Sequence, residues 1–144
     1  MHVLLTADHR GFALMQEIAL YLKQHRHTVE ILGPTMINHD DDYPDRAHEL
    51  AQRLNDSDVM GIALCGSGIG IDIALNRYPH VRCGLGINER QVASGRADDD
   101  INALAIAADH THTHTAYLLV DAFLTTPFEG AERQRRRIKK LSHR

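Results

Sequence analysis

The chain has 144 residues, 43% of them hydrophobic, with 16 basic against 19 acidic side chains and a formal charge of -3. That length holds one domain, residues 1–144, with a sizeable core. The charge balance gives no argument for a nucleic-acid partner, and the apolar stretches fall far short of a bilayer span.

The N-terminus, MHVLLTA, runs straight into a strand pattern without the charged start and long apolar centre of a secretory signal, so a cytoplasmic protein is expected. In that compartment Cys65 and Cys83 are expected to be free thiols. Val3 to Ala7 reads as a strand, and Leu14, Ile18 and Leu22, four apart within Ala13 to Leu22, mark a helix covered on one face. The unit then repeats. TVEIL precedes a polar loop and a helix from about Asp45 to Leu54; DVMGIALC runs into a glycine loop and a short helix from Ile69. VRCGLGI leads to a helix from Glu89, and INALAIA to a helix from His112 to Leu124. Five strands alternating with helices predict a three-layer, doubly wound, Rossmann-like α/β fold on a five-stranded parallel sheet. An extended C-terminal helix over about 129–142, EGAERQRRRIKKL onward, has too few apolar residues to bury much against its own domain and is expected to lie over a partner subunit or in solvent. The segment INHDDD at 37–42 reads as a solvated loop.

In open α/β sheets ligands sit at the carboxyl ends of the strands. The first strand ends in Asp8 and His9, the third in Cys65 and the loop CGSGIGID. Backbone N–H groups of such a loop, close to a helix start, surround an anion, and the same setting favours thiolate over thiol, so that Cys65 can act as a base. The loop lacks the Lys-Ser/Thr ending of a phosphate-binding P-loop and does not follow the first strand, which weakens both nucleotide readings.

Four separated stretches in order, ADHRGF, DYPDRA, CGSGIGIDIALNR and VDAFL with FEG, resemble the ribose-5-phosphate isomerase type B family, which includes the galactose-6-phosphate isomerase subunits. The resemblance implies an aldose-ketose isomerisation of a sugar phosphate through a cis-enediol, with no metal or cofactor. It assigns Cys65 as the catalytic base between C1 and C2 and Ser67 as its assistant. The amides of Gly66, Ser67, Gly68, Ile69 and Gly70 would stabilise the enediolate oxygen; losing one such donor costs about 10²–10³ in rate. Asp8 would hold sugar hydroxyls, His9 would contact phosphate and Tyr43 would line the pocket. The family assembles its sites across a dimer, so a homodimer or dimer of dimers is expected.

The chain also departs from the family. Asp98 and Asp99 stand where a ring-opening histidine and its neighbouring asparagine are usual, which makes Asp98 a candidate acid and Asp99 a candidate substrate contact. Asp109 and Glu132 replace two phosphate-binding arginines, while Arg133 and Arg136, on one helix face, remain candidates for the anion. A homomeric isomerase on an altered substrate, the cysteine-bearing subunit of a heteromer with a paralogue, and a non-catalytic sugar-phosphate-binding paralogue stay open at this level. Cys83 reads as a small core residue. HTHTH at 110–114 precedes a helix, where alternate residues diverge, and reads as no metal site.

Overall fold

The computed structural model describes residues 1–55 and 58–141. Strands β1 (His2–Ala7), β2 (Thr28–Ile31), β3 (Val59–Cys65), β4 (Cys83–Leu85) and β5 (Ala103–Ala107) pair in the order β2-β1-β3-β5-β4, and every neighbouring pair is parallel. Helices α1 (Phe12–Gln24), α2 (Tyr43–Arg53), α3 (Ile69–Leu75), α4 (Glu89–Asp99), α5 (Thr113–Thr125) and α6 (Glu132–Leu141) fill the connections and the C-terminal end. The predicted doubly wound α/β fold is the observed one.

Two-residue periodicity divides the sheet into unequal faces. Val3, Leu5, Ile62, Leu64, Leu104 and Ile106 pack under α1, α4 and α5, with Phe123 of α5 fully buried among them. The opposite face presents Leu4, Ala63, Cys65, Ala103 and Ala105 to α2 and α3. Small side chains there let those helices approach closely. At Gly61, in the middle of β3, a Cβ would stand 2.9 Å from Leu54 and 3.2 Å from Leu50 of α2. Strand β3 is central and covered on both sides, which is why VMGIALC reads as an unbroken apolar run.

Boundaries differ from the sequence expectation where local chemistry intervenes. α2 starts at Tyr43 rather than Asp45, because Pro44 suits a first helical turn that needs no N–H from it. β4 is three residues long, not the seven of VRCGLGI: as an edge strand it pairs only Cys83 to Leu85 with Ala103 to Ala105. Ile101 and Asn102 fall outside β5, and Asn102 instead ties its side chain to Arg82 N–H (2.8 Å) and to the His80 carbonyl (2.9 Å). α6 begins at Glu132 rather than 129, after Gly130 turns the chain at φ +64°; the predicted last residue, 142, lies outside the described residues. Among its residues only Gln134 is buried, as the scarcity of apolar side chains implied.

His27, in the turn between α1 and β2, has a buried Nδ1 with no hydrogen bond among the described residues. Desolvation, then the charges of the N-terminus and His25, hold its imidazole below the ordinary histidine value, against a smaller upward pull from Asp121. At this group the folded state therefore binds fewer protons than the unfolded state, and its contribution to stability is complete above about pH 6.5 and is lost as pH falls through the lower folded value. Thermal unfolding followed from pH 7 to pH 5 is expected to show a falling midpoint, and His27→Asn to flatten part of that slope. An identical slope in the variant would refute the assignment.

Candidate functional site

Parallel pairing places the C-terminal ends of β1, β3 and β5 side by side, with Ala7 opposite Leu64 and Cys65 opposite Ala107. Hydrogen bonds continue past the strands: Asp8 N–H donates to the Leu64 carbonyl (3.1 Å), Ala108 N–H to that of Cys65 (2.9 Å) and Asp109 N–H to that of Gly66 (3.0 Å). From β1 the chain turns toward α1 on one face, and from β3 toward α3 on the other, so the loops part and leave a crevice between them. A cleft of about 440 Å³ opens there.

Cys65 is the last residue of β3 and is 3% exposed. It packs with the α2/α3 core and also lines the cleft, so it stands on the boundary between the two rather than in a sealed interior. Gly66, Ser67 and Gly70 continue the wall, and Tyr43 packs against Gly70 from the start of α2. The turn depends on Gly68, whose φ of +72° lies in the left-handed region and whose Cβ, if present, would stand 2.9 Å from the Ala107 nitrogen. The Ile69 N–H donates to Ser67 Oγ at 3.3 Å within the loop, and neither Gly68 nor Ile69 is among the residues that line the cleft.

Across the cleft, Asp8 is buried and its Oδ1 accepts from the N–H groups of Arg10 and Gly11, each at 3.0 Å. One carboxylate oxygen thus builds the turn that carries His9. The His9 backbone N–H donates to Asp41 Oδ1 at 3.0 Å, and its Nδ1 lies 2.8 Å from the same oxygen. An ionised carboxylate only accepts, which places the ring proton on Nδ1 and leaves Nε2 as the other contact atom. The loop read as solvated is therefore a structural partner of the site: the Asp41 side chain is only 7% exposed. Arg10 pairs with Asp109 over the same opening. Sequence reasoning passed over Arg10, Asp41, Asp42 and His110, all of which line the cleft. Arg10 was legible as the next residue of the His9 loop; nothing in the spacing marks Asp41, which returns from 32 positions away.

Other candidates do not join this cleft within one chain. Asp98 and Asp99 close α4, where Asp98 Oδ1 accepts from Gln134 Nε2 at 2.9 Å. Arg133 and Arg136 are exposed on α6. Asp99 lines a second cavity of about 450 Å³ beside β4 together with Cys83 and Leu141. Burial, followed by the charge of Asp72 and a hydrogen bond to it, pushes the Cys83 thiol well above its ordinary value, which suits a packed thiol and not a nucleophile. His110, His112 and His114 are separated as expected, into the cleft, the N-cap of α5 and its first turn.

A family model described as Ribose/Galactose Isomerase matches residues 3–141. The chain is 38% identical over 143 residues to ribose-5-phosphate isomerase B of Mycobacterium tuberculosis, covering 99% of this chain and 88% of that protein. It is 33% identical over 137 residues to a probable ribose-5-phosphate isomerase B of Mycoplasma genitalium, covering 94% and 90%. Among solved structures, ribose-5-phosphate isomerase B from Mycoplasma genitalium with bound ribulose-5-phosphate superposes with a TM-score of 0.93 at 33% identity, covering 98% of this chain and 93% of that one. The Thermotoga maritima ribose 5-phosphate isomerase gives 0.93 at 32% identity, covering 99% and 98%.

Gly68→Ala is expected to lower the stability to urea by about 1–3 kcal/mol, since it forces a left-handed alanine against backbone. Asp41→Ala is expected to leave the fold intact and to release the His9 ring, seen as loss of the fixed Nδ1–H resonance in NMR.

Proposed function

The chain belongs to the ribose/galactose isomerase family and isomerises a sugar phosphate between aldose and ketose forms, and from that premise we propose how its cleft carries out the reaction. The substrate is ribose 5-phosphate or a sugar phosphate close to it in size, bound at the ends of β1, β3 and β5 and isomerised there in its open-chain form. Cys65, as thiolate, removes the proton from C2 of the aldose. The electron pair moves through a cis-enediolate to O1, the proton returns to C1, and O2 becomes the ketose carbonyl as its own proton passes to O1. Amides of the Gly66 to Gly70 loop, Ile69 excepted, meet the oxygen charge that develops only near the transition state, and Ser67 assists. Asp8 offers its remaining oxygen to sugar hydroxyls, His9 meets the phosphate through Nε2 and Tyr43 walls the sugar. This step calls for no metal or cofactor.

The observation that carries the reading is the position of Cys65: it ends the central strand, opens the glycine loop and lines the same cleft as Asp8 and His9. Supporting it are the isomerase relatives that cover nearly the whole chain. We further propose that two copies assemble in the cytoplasm so that one cleft receives α4 and α6 of the other. Asp98 of the partner subunit then serves ring opening, Asp99 of the partner subunit contacts the sugar, and the partner's Arg133 and Arg136 meet the anion. Exposed Ile69 and Ile73, one helical turn apart on α3 beside the cysteine loop, offer an apolar face for that contact.

Cys65→Ala is expected to retain the circular dichroism spectrum and to lose at least about 10³-fold in turnover of ribose 5-phosphate, because the base itself is removed. Full turnover in that variant would remove Cys65 from the mechanism. Light scattering is expected to give at least twice the chain mass, and Ile73→Asp to shift it toward a monomer; a monomeric active wild type would defeat the shared-site proposal.

A further inference from the structure

Charge in the cleft is lopsided. Asp8, Asp41, Asp42 and Asp109 line it, whereas Arg10 is its single arginine or lysine among the described residues. The Arg10 guanidinium reaches from the β1 loop to the β5 loop and pairs through Nη2 with Asp109 Oδ2. The pair rests on the third loop as well: a Cβ at Gly66 would stand 2.6 Å from Arg10 Nε and 2.7 Å from Asp109 Oδ2. All three loops therefore converge on this one guanidinium. Its side chain remains 58% exposed and that of Asp109 33%, so the group is held and still accessible.

Stability does not account for the arrangement, because an ion pair this exposed contributes little. Ligand chemistry does. On the isomerase reading, on which this inference rests, a phosphate enters a cleft bordered by four carboxylates and needs a cation of matching geometry. A guanidinium presents a planar fork of N–H donors that fits two phosphate oxygens at once. We propose that Arg10 is the phosphate-binding arginine contributed by the cleft's own chain, and that Asp109 is its resident counter-ion in the free protein. Asp109 holds the fork over Gly66, and the dianion displaces it on binding. The ion pair thereby sets selectivity: a sugar without a phosphate cannot release Arg10, and it gains nothing from the exchange.

Inorganic phosphate titrated calorimetrically into the full chain, at fixed ionic strength, tests this directly, alongside kinetics with ribose 5-phosphate. Arg10→Gln is expected to weaken phosphate binding and raise KM by about tenfold or more with kcat changed by less than about threefold, as loss of a bidentate ground-state contact requires. Arg10→Lys, which keeps the charge without the fork, is expected to restore part of the affinity, and it carries the test if Arg10→Gln does not fold. Asp109→Asn is expected to tighten phosphate several-fold. Unchanged phosphate affinity in Arg10→Gln, weaker affinity in Asp109→Asn, or no phosphate binding by the wild type overturns the proposal. A wild type that isomerises ribose 5-phosphate while Arg10→Gln matches it in KM retains the isomerase reading and sinks this one. A wild type that binds phosphate through Arg10 but turns over no sugar phosphate does the reverse.

Discussion

Backbone pairing among β1, β3 and β5 is the constraint on which the rest of this molecule depends. Parallel strands run their C-terminal ends to one edge, and here the ladder does not stop at the strand boundary: three further N–H to carbonyl bonds carry it from Ala7, Cys65 and Ala107 into the loops. Loops that begin in register cannot drift apart, so Asp8, Cys65 and Asp109 are delivered to one opening although they are 57 and 101 positions from the first to the others. Function is thus positioned by main-chain geometry before any side chain contributes.

A second consequence comes from the alternation of side chains across the sheet. Residue 65 falls on the face of Ala63, Ala103 and Ala105, under α2 and α3, and not on the face of Leu64 and Ile106, under α1 and α5. A one-residue slip in β3 would exchange these two sets and carry the cysteine to the wrong side of the sheet. The small residues around it matter for the same reason, since they let α2 sit close enough for Tyr43 to reach Gly70. The packing of the core and the shape of the cleft are therefore one arrangement seen from two sides.

Electrostatics finishes the site. Three of its four carboxylates are not loose charges: Asp8 is bound by turn amides, Asp41 by His9, and Asp109 by Arg10. Each pairing holds a neighbour that lines the opening, so these acidic residues act as supports within the cleft wall. Asp98 is supported in the same way by Gln134, the one buried residue of α6, which fixes the end of α4 against the C-terminal helix. Cys83, in contrast, is half-buried beside Asp72 and lines the other cavity, which leaves Cys65 as the thiol that borders this cleft.

Periodicity and composition by themselves determined the five strands, the helices that alternate with them and the glycine loop after Cys65, because each of these is written in neighbouring residues. Resemblance of local motifs then marked Asp8, His9, Tyr43 and Ser67, and these do line one cleft. Only the tertiary structure decided that Asp41 orients His9, that Arg10 meets Asp109, that the Ile69 amide donates to Ser67 and that Asp98 belongs with Gln134. Those contacts join segments remote in the chain or depend on a single N–H direction, and a one-dimensional pattern holds no record of which distant carboxylate a folded loop brings back.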